Sequence, residues 1–262
     1  MASTSEHFSK FFECWLAEQD RDLQALREAA AEPAPGSEAA AEIEELRLRQ
    51  LIIRVMEHYE YYYKAKGQSA KRDVVAMFSP KWTSSTENLF IWVGGWRPSS
   101  AVHILYSKSG IQFELKLNEV ISGMETRDLA GLSPEQLKMV DELQRRVIKK
   151  EREITEEEAK VQEKVANRKM VEAVDVMTEM VEREVEMVEK MEEEMKRRRG
   201  DMERVLEKAD GLRMETMKEI VEMLKPMQAV HFLIAAVELL LRVHEFGVAK
   251  DAAAAAAAGV RR

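Results

Sequence analysis

The side chains best suited to recognising another molecule are concentrated in residues 58–98, here called the aromatic segment. Three of the four tryptophans and four of the five tyrosines lie in this segment, and no Phe, Trp or Tyr occurs between residues 114 and 231. Aromatic side chains bury large areas and pack with specific geometry. The concentration therefore predicts either a ligand pocket or partner groove, with Trp82, Trp92 and Trp96 as candidates, or the nucleus of the hydrophobic core.

Residue types that can catalyse reactions are present, but not in catalytic arrangements. Gly94-Gly95 lacks the following Gly-Lys-Ser/Thr of a phosphate-binding loop, which favours a tight turn between helices. No histidine pair has metal-ligand spacing, and no nucleophile elbow occurs. Arg97 can bind carbonyl groups or a carboxylate with two parallel hydrogen bonds. We expect these bonds to be made within the protein, so that Arg97 has a structural role. The sequence therefore predicts a non-enzymatic protein without a metal site.

Composition narrows the class of protein further. Of the 262 residues, 45% are hydrophobic and 34% are charged, which predicts a true core surrounded by long solvated helices. The single cysteine, Cys14, excludes a disulfide framework and suits a reducing compartment. No apolar run has membrane-spanning length, and no signal peptide is evident. We expect a soluble intracellular protein of the nucleus, the cytoplasm or both, with peripheral attachment to the plasma membrane as an alternative.

Apolar periodicity and turn residues predict helices along nearly the whole chain. Residues 111–117 alternate in a strand-like manner, but we expect no sheet. Ser133-Pro134-Glu135 has the cap, the proline and the acid that begin a helix. The predicted helices cover residues 6–31, 38–66 with Gly67 as the stop, 69–78, 84–93 closing at Gly94-Gly95, 97–107, a long stretch from 134, and 227–246.

Residues 151–200 form a block of unusual charge density, with 16 acidic and 11 basic residues. A narrow apolar seam with heptad-like spacing runs through this block. Because dense mixed charge flanks the seam, the block cannot be buried on all sides. We predict a long charged helix whose seam pairs with another helix, of the same bundle or of a second chain. The seam residues are Met177, Val181, Val185, Val188 and Met191.

Residues 73–97 contain the pattern D-V-x-x-M-x-S-x-x-W-x-S-x-x-E-x-x-F-x-W-V-G-G-W-R. This pattern resembles the plant delay-of-germination (DOG) domain, which is also the C-terminal module of TGA-class bZIP transcription factors. Further matches occur at W-L-x-x-Q near the start, at L-S-x-x-Q (132–136) and at A-D-x-L-R-x-x-T (209–216). The residues that carry the family pattern are Trp15, His58, Tyr59, Asp73, Trp82, Glu87, Trp92, Gly94, Gly95 and Arg97.

The resemblance implies an all-α, multi-helix bundle that contains the long charged helix. We expect a single domain over residues 6–250, including the charged helical insertion at about 151–200. Residues 251–262 are an alanine-rich, low-complexity tail without an evident function.

The resemblance also implies a function. The domain begins near Phe8, which leaves no room for a preceding basic helix, so we expect the bZIP-less branch that includes seed-dormancy and inaperturate-pollen proteins. There the domain is a protein-binding module, and the expected partners are a phosphatase, another DOG-domain protein, a bZIP factor or a second copy of the chain. The net charge of −8 opposes direct DNA binding. The alternative is a transcription-related regulator that associates with DNA directly or through bZIP partners.

Some members of the family are associated with haem, so a haem- or lipid-sensing module is a further alternative. The candidate haem ligands are His231 and His244. Thirteen residues apart on one helix, their side chains point to nearly opposite sides and cannot ligate one iron from both faces. We therefore expect no cofactor.

Overall fold

The computed structural model describes residues 4–121, 126–166, 171 and 184–259. Over these residues the chain forms nine α-helices and no strand, which confirms the predicted all-α, multi-helix fold. Two short 3₁₀ turns, Leu129–Gly131 and Lys164–Ala166, complete the regular structure. The helices are α1 (Thr4–Ala31), α2 (Glu38–Ala70), α3 (Val74–Phe78), α4 (Ser85–Asn88), α5 (Ser99–Leu115), α6 (Leu117–Ile121), α7 (Pro134–Glu163), α8 (Glu184–Met223) and α9 (Pro226–Gly259).

Several helices begin where side chains satisfy the free backbone N–H groups of the first turn. Ser84 and Glu87 form a capping box at α4, and Ser133 and Gln136 form one at α7, where Pro134 occupies the first turn. The carboxylate of Asp73 accepts a hydrogen bond from Ala76 N at 3.1 Å and so caps α3. The helix starts predicted at Ser84 and Ser133 are both confirmed.

The hydrophobic core consists of two clusters. The first joins α1, α2, α5, α7, α8 and α9 around fully buried side chains such as Val55, Leu105 and Phe232. The second joins the start of α1, the end of α2, α3, α7 and α8 around Met77, Trp92 and Leu206. The two clusters meet along α1, α2, α7 and α8.

Helices α7 and α8 pack side by side in antiparallel directions, and we call this pair the charged hairpin. Their direction follows from a series of ion pairs in which the residue number rises on one helix as it falls on the other. The described parts of the charged block therefore belong to two antiparallel helices and not to one continuous helix. The pairs are Arg146–Glu219, Lys150–Glu215, Glu157–Lys208 and Lys164–Asp201.

Two predicted helices are shorter in the structure: α3 begins at Val74, where Asp73 caps it, and not at residue 69, and α4 ends at Asn88 and not at residue 93. Three other helices extend further than predicted, each because of contacts between distant residues. Helix α2 continues through Gly67 to Ala70, since the buried side chains of Lys66 and Ala70 fix the backbone on both sides of the glycine. Helix α5 extends past residue 107 to Leu115, and its Ser109 hydroxyl donates to Leu129 O at 2.8 Å. The strand-like stretch 111–117 is thus largely helical, and it forms no sheet, as expected.

The last helix is the third case, because α9 includes most of the alanine-rich stretch and ends at Gly259. Asp251 accepts a hydrogen bond from Ser85 N at 2.8 Å, at the start of α4. Gly247 packs so closely on Ser84 that a Cβ there would overlap the serine side chain. The beginning of the stretch therefore contacts the aromatic segment. None of the helices over the described ranges has the length and apolar character that a bilayer-spanning segment requires.

Candidate functional site

A cavity of about 150 Å³ lies where the two hydrophobic clusters meet. Its walls are contributed by α1, α2, α5, α8 and α9 and by the chain between α3 and α5, and they are mostly apolar. Arg97 and Leu239 are the only exposed side chains among the lining residues that the structure describes, so these two mark the mouth. Seven of the ten residues of the family pattern line the cavity: Trp15, Tyr59, Trp82, Glu87, Gly94, Gly95 and Arg97.

One face of α2 supplies the most polar part of the wall. Tyr59, Tyr62, Tyr63 and Lys66 follow the i, i+3, i+4, i+7 spacing of a single helix face, and all four line the cavity. Burial raises the pKa of all three tyrosine hydroxyls well above the ordinary value. No described residue hydrogen-bonds to the hydroxyl groups of these three tyrosines, so their hydrogen-bonding capacity is not used within the described part of the chain.

The three candidate tryptophans have different positions. Trp92 is 7% exposed and belongs to the second core cluster, whereas Trp82 and Trp96 line the cavity. The indole nitrogen of Trp92 donates to the Thr155 hydroxyl on α7 at 2.9 Å. Trp92 is therefore a core residue, whereas a recognition role for Trp82 and Trp96 stays a prediction.

The chain between α4 and α5 makes a tight reverse turn from Trp92 to Gly95. Trp92 N donates to Gly95 O at 2.6 Å, and Gly95 N donates to Trp92 O at 3.1 Å. Val93 and Gly94 have φ angles of +46° and +66°, as in a type I′ turn. A Cβ on Gly94 would lie 2.5 Å from the carbonyl oxygen of Met77, so only glycine fits. The turn predicted at the two glycines is present.

The guanidinium group of Arg213, on α8, holds this turn in place. Its Nε donates to Trp96 O at 2.6 Å, and its Nη2 donates to Val93 O at 3.0 Å and to Trp92 O. A Cβ on Gly95 would lie 3.0 Å from Arg213 Cζ, so the second glycine makes room for the guanidinium. The carbonyl-binding role considered for Arg97 therefore belongs to Arg213.

Arg213 is also part of a group of three buried charges, which we call the buried charge triad: Lys66, Asp210 and Arg213. Lys66 Nζ donates to Asp210 Oδ1 at 2.8 Å, and Arg213 Nη1 donates to the same oxygen. Lys66 is 1% exposed and Arg213 is 4% exposed. Burial lowers the pKa of Lys66 to about 8, although the Asp210 carboxylate opposes the shift. The three formal charges sum to +1 when Lys66 is protonated, because two cations share one carboxylate.

Arg97 lies at the mouth and connects the turn to α7. Its Nη1 is 3.3 Å from Glu151 Oε2, and the other oxygen of Glu151 accepts from Ser99 N at 2.7 Å, at the start of α5. The guanidinium groups of Arg97 and Arg213 lie over the Trp92 ring, at 5.4 and 5.3 Å from its centroid. Trp92 is thus enclosed by two cations.

Among the described residues that line the cavity, Glu87 is the only acidic one, and it already has polar partners. It is 2% exposed, accepts hydrogen bonds from Ser84 N and Oγ at 2.7 Å, and lies 2.9 Å from His244 Nδ1. These contacts fasten α4 to α9. Glu87 therefore supports the wall of the cavity structurally.

His58, a family-pattern residue outside the lining, lies close to two carboxylates. Its Nδ1 is 2.6 Å from Asp22 Oδ2, and Glu18 completes a group whose atoms lie within 4.8 Å of one another. Such a group has the donor types that bind divalent metals. However, Arg54 lies 3.5 Å from Asp22 and Arg21 lies 2.9 Å from Glu18, so both carboxylates already have cationic partners.

The two haem candidates lie in different parts of the molecule. His231 Nδ1 is 3.2 Å from Gln112 Nε2 on α5, and burial lowers the pKa of His231. His244 contacts Glu87, as described above. Thirteen residues of continuous helix separate the two by about 20 Å along the axis, so they cannot ligate one iron.

The association seam is only partly covered by the described residues. Met177 and Val181 lie outside them. Val185, Val188 and Met191 lie on α8, and Met191 is partly buried. The role of the seam in association stays a prediction.

The sequence patterns did not point to the buried charge triad or to Glu151 as site residues. Asp210 and Arg213 lie within the family match at 209–216, whereas Lys66 entered only as the end of the predicted second helix. A usable signal was present, because Lys66 shares a helix face with three tyrosines, where an unpaired charge would be costly. The pairing of Lys66 with Asp210 spans 144 positions, which no local pattern reveals.

Comparisons with known proteins agree with the resemblance. Residues 22–107 match a family model described as DOG1, seed dormancy control. Protein DOG1-like 3 of Arabidopsis thaliana is 29% identical over 90% of this chain and 82% of its own length. Protein ZW2 of the same plant is 28% identical over 95% and 99%. Transcription factor TGA2.3 of Oryza sativa subsp. japonica is 34% identical, but over 42% of this chain and 30% of its own length.

Proposed function

Because this chain carries a DOG1 domain, we propose that it is a regulatory adaptor without catalytic activity, which acts by binding protein partners. The regulated process is a developmental one in plants, either seed dormancy, which the family description names, or pollen aperture formation. The proposed partners are a protein phosphatase, another DOG-domain protein and a TGA-class bZIP factor.

The observation that carries this proposal is a pair of exposed apolar side chains in the aromatic segment, Leu89 and Phe90. They are 76% and 54% exposed. The Phe90 ring stacks on Trp96 with centroids 6.1 Å apart, so it is supported from behind. Large apolar side chains on a rigid support are typical of residues that dominate protein interfaces.

The surface that presents this exposed pair is rigidly held. Buried Glu87 connects α4 to α9, and Asp251 caps the first turn of α4. On the other side, Arg213 holds the carbonyl groups of the turn. A preorganised surface loses little conformational entropy on binding, which favours affinity.

The test is direct binding between purified proteins, measured by calorimetry for each of the three partner classes. In the Leu89→Ser/Phe90→Ser variant, we expect affinity to fall by about 30-fold, which corresponds to a hot spot of ~2 kcal/mol. The matched control is Ile111→Ser/Leu115→Ser, which removes side chains that are 54% and 80% exposed elsewhere. The control should bind like the wild type, and both variants should melt near the wild-type temperature.

Two results would contradict the proposal. If none of the three partner classes binds the wild-type protein, the adaptor function is wrong. If a partner binds the wild type and both variants equally, the exposed pair is not the binding surface.

A transcription-related role is the second candidate, and the match to TGA2.3 over 42% of this chain favours it. The protein would then act at DNA either directly or through a bZIP partner. Because the net charge is −8, we expect no sequence-specific binding to duplex DNA by the protein alone at about 150 mM salt. Nanomolar, sequence-selective binding in a mobility-shift assay would favour direct action, whereas binding only in the presence of a TGA-class factor would favour action through that partner.

Self-association through the seam is a separable part of the proposal and rests on the sequence pattern of residues 177–191. Replacing Val181, Val185 and Val188 together by serine should shift a sedimentation profile towards the monomer. Tryptophan fluorescence should show that the aromatic core stays folded. A variant that melts as a whole, with unchanged association of the folded fraction, would place the seam in the bundle core.

A further inference from the structure

We propose that the cavity is a binding site for a small aromatic carboxylic acid, with the ring among the apolar walls and the carboxylate directed towards Lys66. This site is separate from the exposed pair, because Leu89 and Phe90 do not line the cavity. The inference therefore does not depend on the adaptor function.

The volume sets the size of the ligand. A cavity of about 150 Å³ has room for a single ring, since an engineered apolar cavity of about that volume in another protein binds benzene. Aromatic side chains contribute much of the wall, among them Trp15, Tyr62 and Trp82. Trp15 and Tyr62 lie with their centroids 4.5 Å apart, so a planar ligand would extend an existing group of packed rings. A long acyl chain exceeds this space.

The net charge of the buried charge triad determines the charge that the polar group of the ligand should carry. The buried charge triad has two cations and one carboxylate, and no other described carboxylate pairs with Lys66 or Arg213. An unbalanced positive charge in a water-poor interior is unfavourable. Lys66 and Arg213 both line the cavity, so an anion bound there would provide the missing negative charge. Burial is the main cause of the lowered pKa of Lys66, and the Arg213 guanidinium lowers this pKa further against the opposing effect of Asp210.

Hydrogen-bonding groups are available to hold the carboxylate. Lys66 has three N–H donors, of which one is directed to Asp210. Tyr59, Tyr62 and Tyr63 also line the cavity, and no described residue hydrogen-bonds to their hydroxyl groups. Because burial raises their pKa, they keep their protons at neutral pH and can donate. The one acidic lining residue, Glu87, is engaged by Ser84 and His244 and so repels an anion less than a free carboxylate would.

The wild-type protein tests the proposal with three probes: benzoate, its uncharged analogue benzyl alcohol, and decanoate, which has the charge but not the ring. Binding is followed through the fluorescence of the tryptophans that line the cavity. We expect saturable binding of benzoate, about tenfold tighter than that of benzyl alcohol, since one charge-assisted hydrogen bond of ~1.4 kcal/mol gives that factor. Equal affinity for benzoate and benzyl alcohol, tighter binding of decanoate, or no saturable binding of benzoate would each overturn the proposal.

Two variants locate the site. Lys66→Met removes the unbalanced charge and leaves Asp210 paired with Arg213, so the preference for benzoate over benzyl alcohol should disappear. Ala236→Leu fills the cavity from α9 and should abolish binding of both probes. The matched control is Lys150→Met, which removes a lysine that pairs with Glu215 on the charged hairpin and should change neither affinity. If Lys66→Met does not fold, the proposal is still tested by Ala236→Leu and by the preference of the wild-type protein for benzoate over benzyl alcohol. Unchanged benzoate binding in folded Ala236→Leu would place the probe elsewhere and overturn the proposal.

Discussion

Acid–base pairs occur in two regions of this molecule with opposite surroundings. In the buried charge triad, Lys66 Nζ lies 2.8 Å from a carboxylate oxygen and is 1% exposed. On the charged hairpin, Lys150 Nζ lies at the same 2.8 Å from Glu215, but the two side chains are 45% and 49% exposed. The distance between the charges is therefore equal, whereas the access of water differs and the buried carboxylate is shared with a second cation, Arg213.

This difference determines what each pair contributes. When an exposed acid and base pair, each loses contacts with water and gains a contact with the other. The net contribution to the free energy of unfolding is therefore small, typically ~0–1 kcal/mol. A buried pair need not be more stabilising than an apolar pair of the same shape, yet removing one partner leaves a charge without water or counter-charge. The triad therefore constrains which residues are tolerated near the cavity, whereas the hairpin pairs leave many substitutions open.

The largest loss of stability is expected for Asp210→Ala, because both cations of the buried charge triad would lose their carboxylate partner. We expect the free energy of unfolding to fall by ~3–5 kcal/mol, measured by urea denaturation at pH 7. Lys66→Met is the control, since the remaining Asp210 and Arg213 neutralise each other, and its loss should be smaller. A loss below ~1 kcal/mol for Asp210→Ala would mean that the triad is hydrated.

Trp92→Ala should cost a comparable amount, about 3–5 kcal/mol, as is usual for removing a buried large aromatic side chain. The substitution also removes the hydrogen bond to Thr155 and the ring between the guanidinium groups of Arg97 and Arg213. Thermal denaturation followed by circular dichroism measures the loss. An unmoved melting curve with weaker partner binding would instead make Trp92 a recognition residue.

An effect of intermediate size is expected when the pH is raised, because the lysine of the buried charge triad titrates differently in the folded and unfolded states. In the folded protein Lys66 loses its proton near pH 8, whereas in the unfolded chain it does so near ~10.4. Between these values the unfolded state binds more protons, so the free energy of unfolding should rise with pH, on the order of 2 kcal/mol from pH 8 to 10.

The rise should end near pH 10, because the buried tyrosines keep their protons in the folded state and oppose further gain. Urea denaturation at several pH values, with Lys66→Met for comparison, provides the measurement. An equal rise in Lys66→Met would assign the effect to other groups.

The smallest effect is expected on the charged hairpin. Lys150→Met should change the free energy of unfolding by no more than ~1 kcal/mol, and added salt should reduce the difference further. Denaturation at low and high ionic strength measures both quantities. A cost of several kcal/mol, insensitive to salt, would show that burial is not what separates the two regions.

The sequence predicted most of the helices and the family, but not the assembly of the site. Caps such as Ser133 with Pro134 are local signals, and they were identified correctly. The stop predicted at Gly67 was wrong because Lys66 is held by Asp210, 144 positions away. Likewise, the extension of α5 depends on contacts near Leu129. The residues of the aromatic segment were recognised one by one, while the cavity that they share arises only from three-dimensional packing.

The position of Arg213 in the chain has a consequence for synthesis. Arg213 follows Trp92 by 121 positions, and the portion that matches the family model, residues 22–107, ends long before it. At a translation rate of 5–20 residues per second, Arg213 is synthesised roughly 6–24 s after Trp92, so the turn lacks its stabilising guanidinium group during this time. During that interval the nascent chain presents Trp82, Trp92 and Trp96 before their packing is complete. Co-translational chaperones are therefore expected to engage this segment, and a fragment ending at residue 107 should aggregate when expressed.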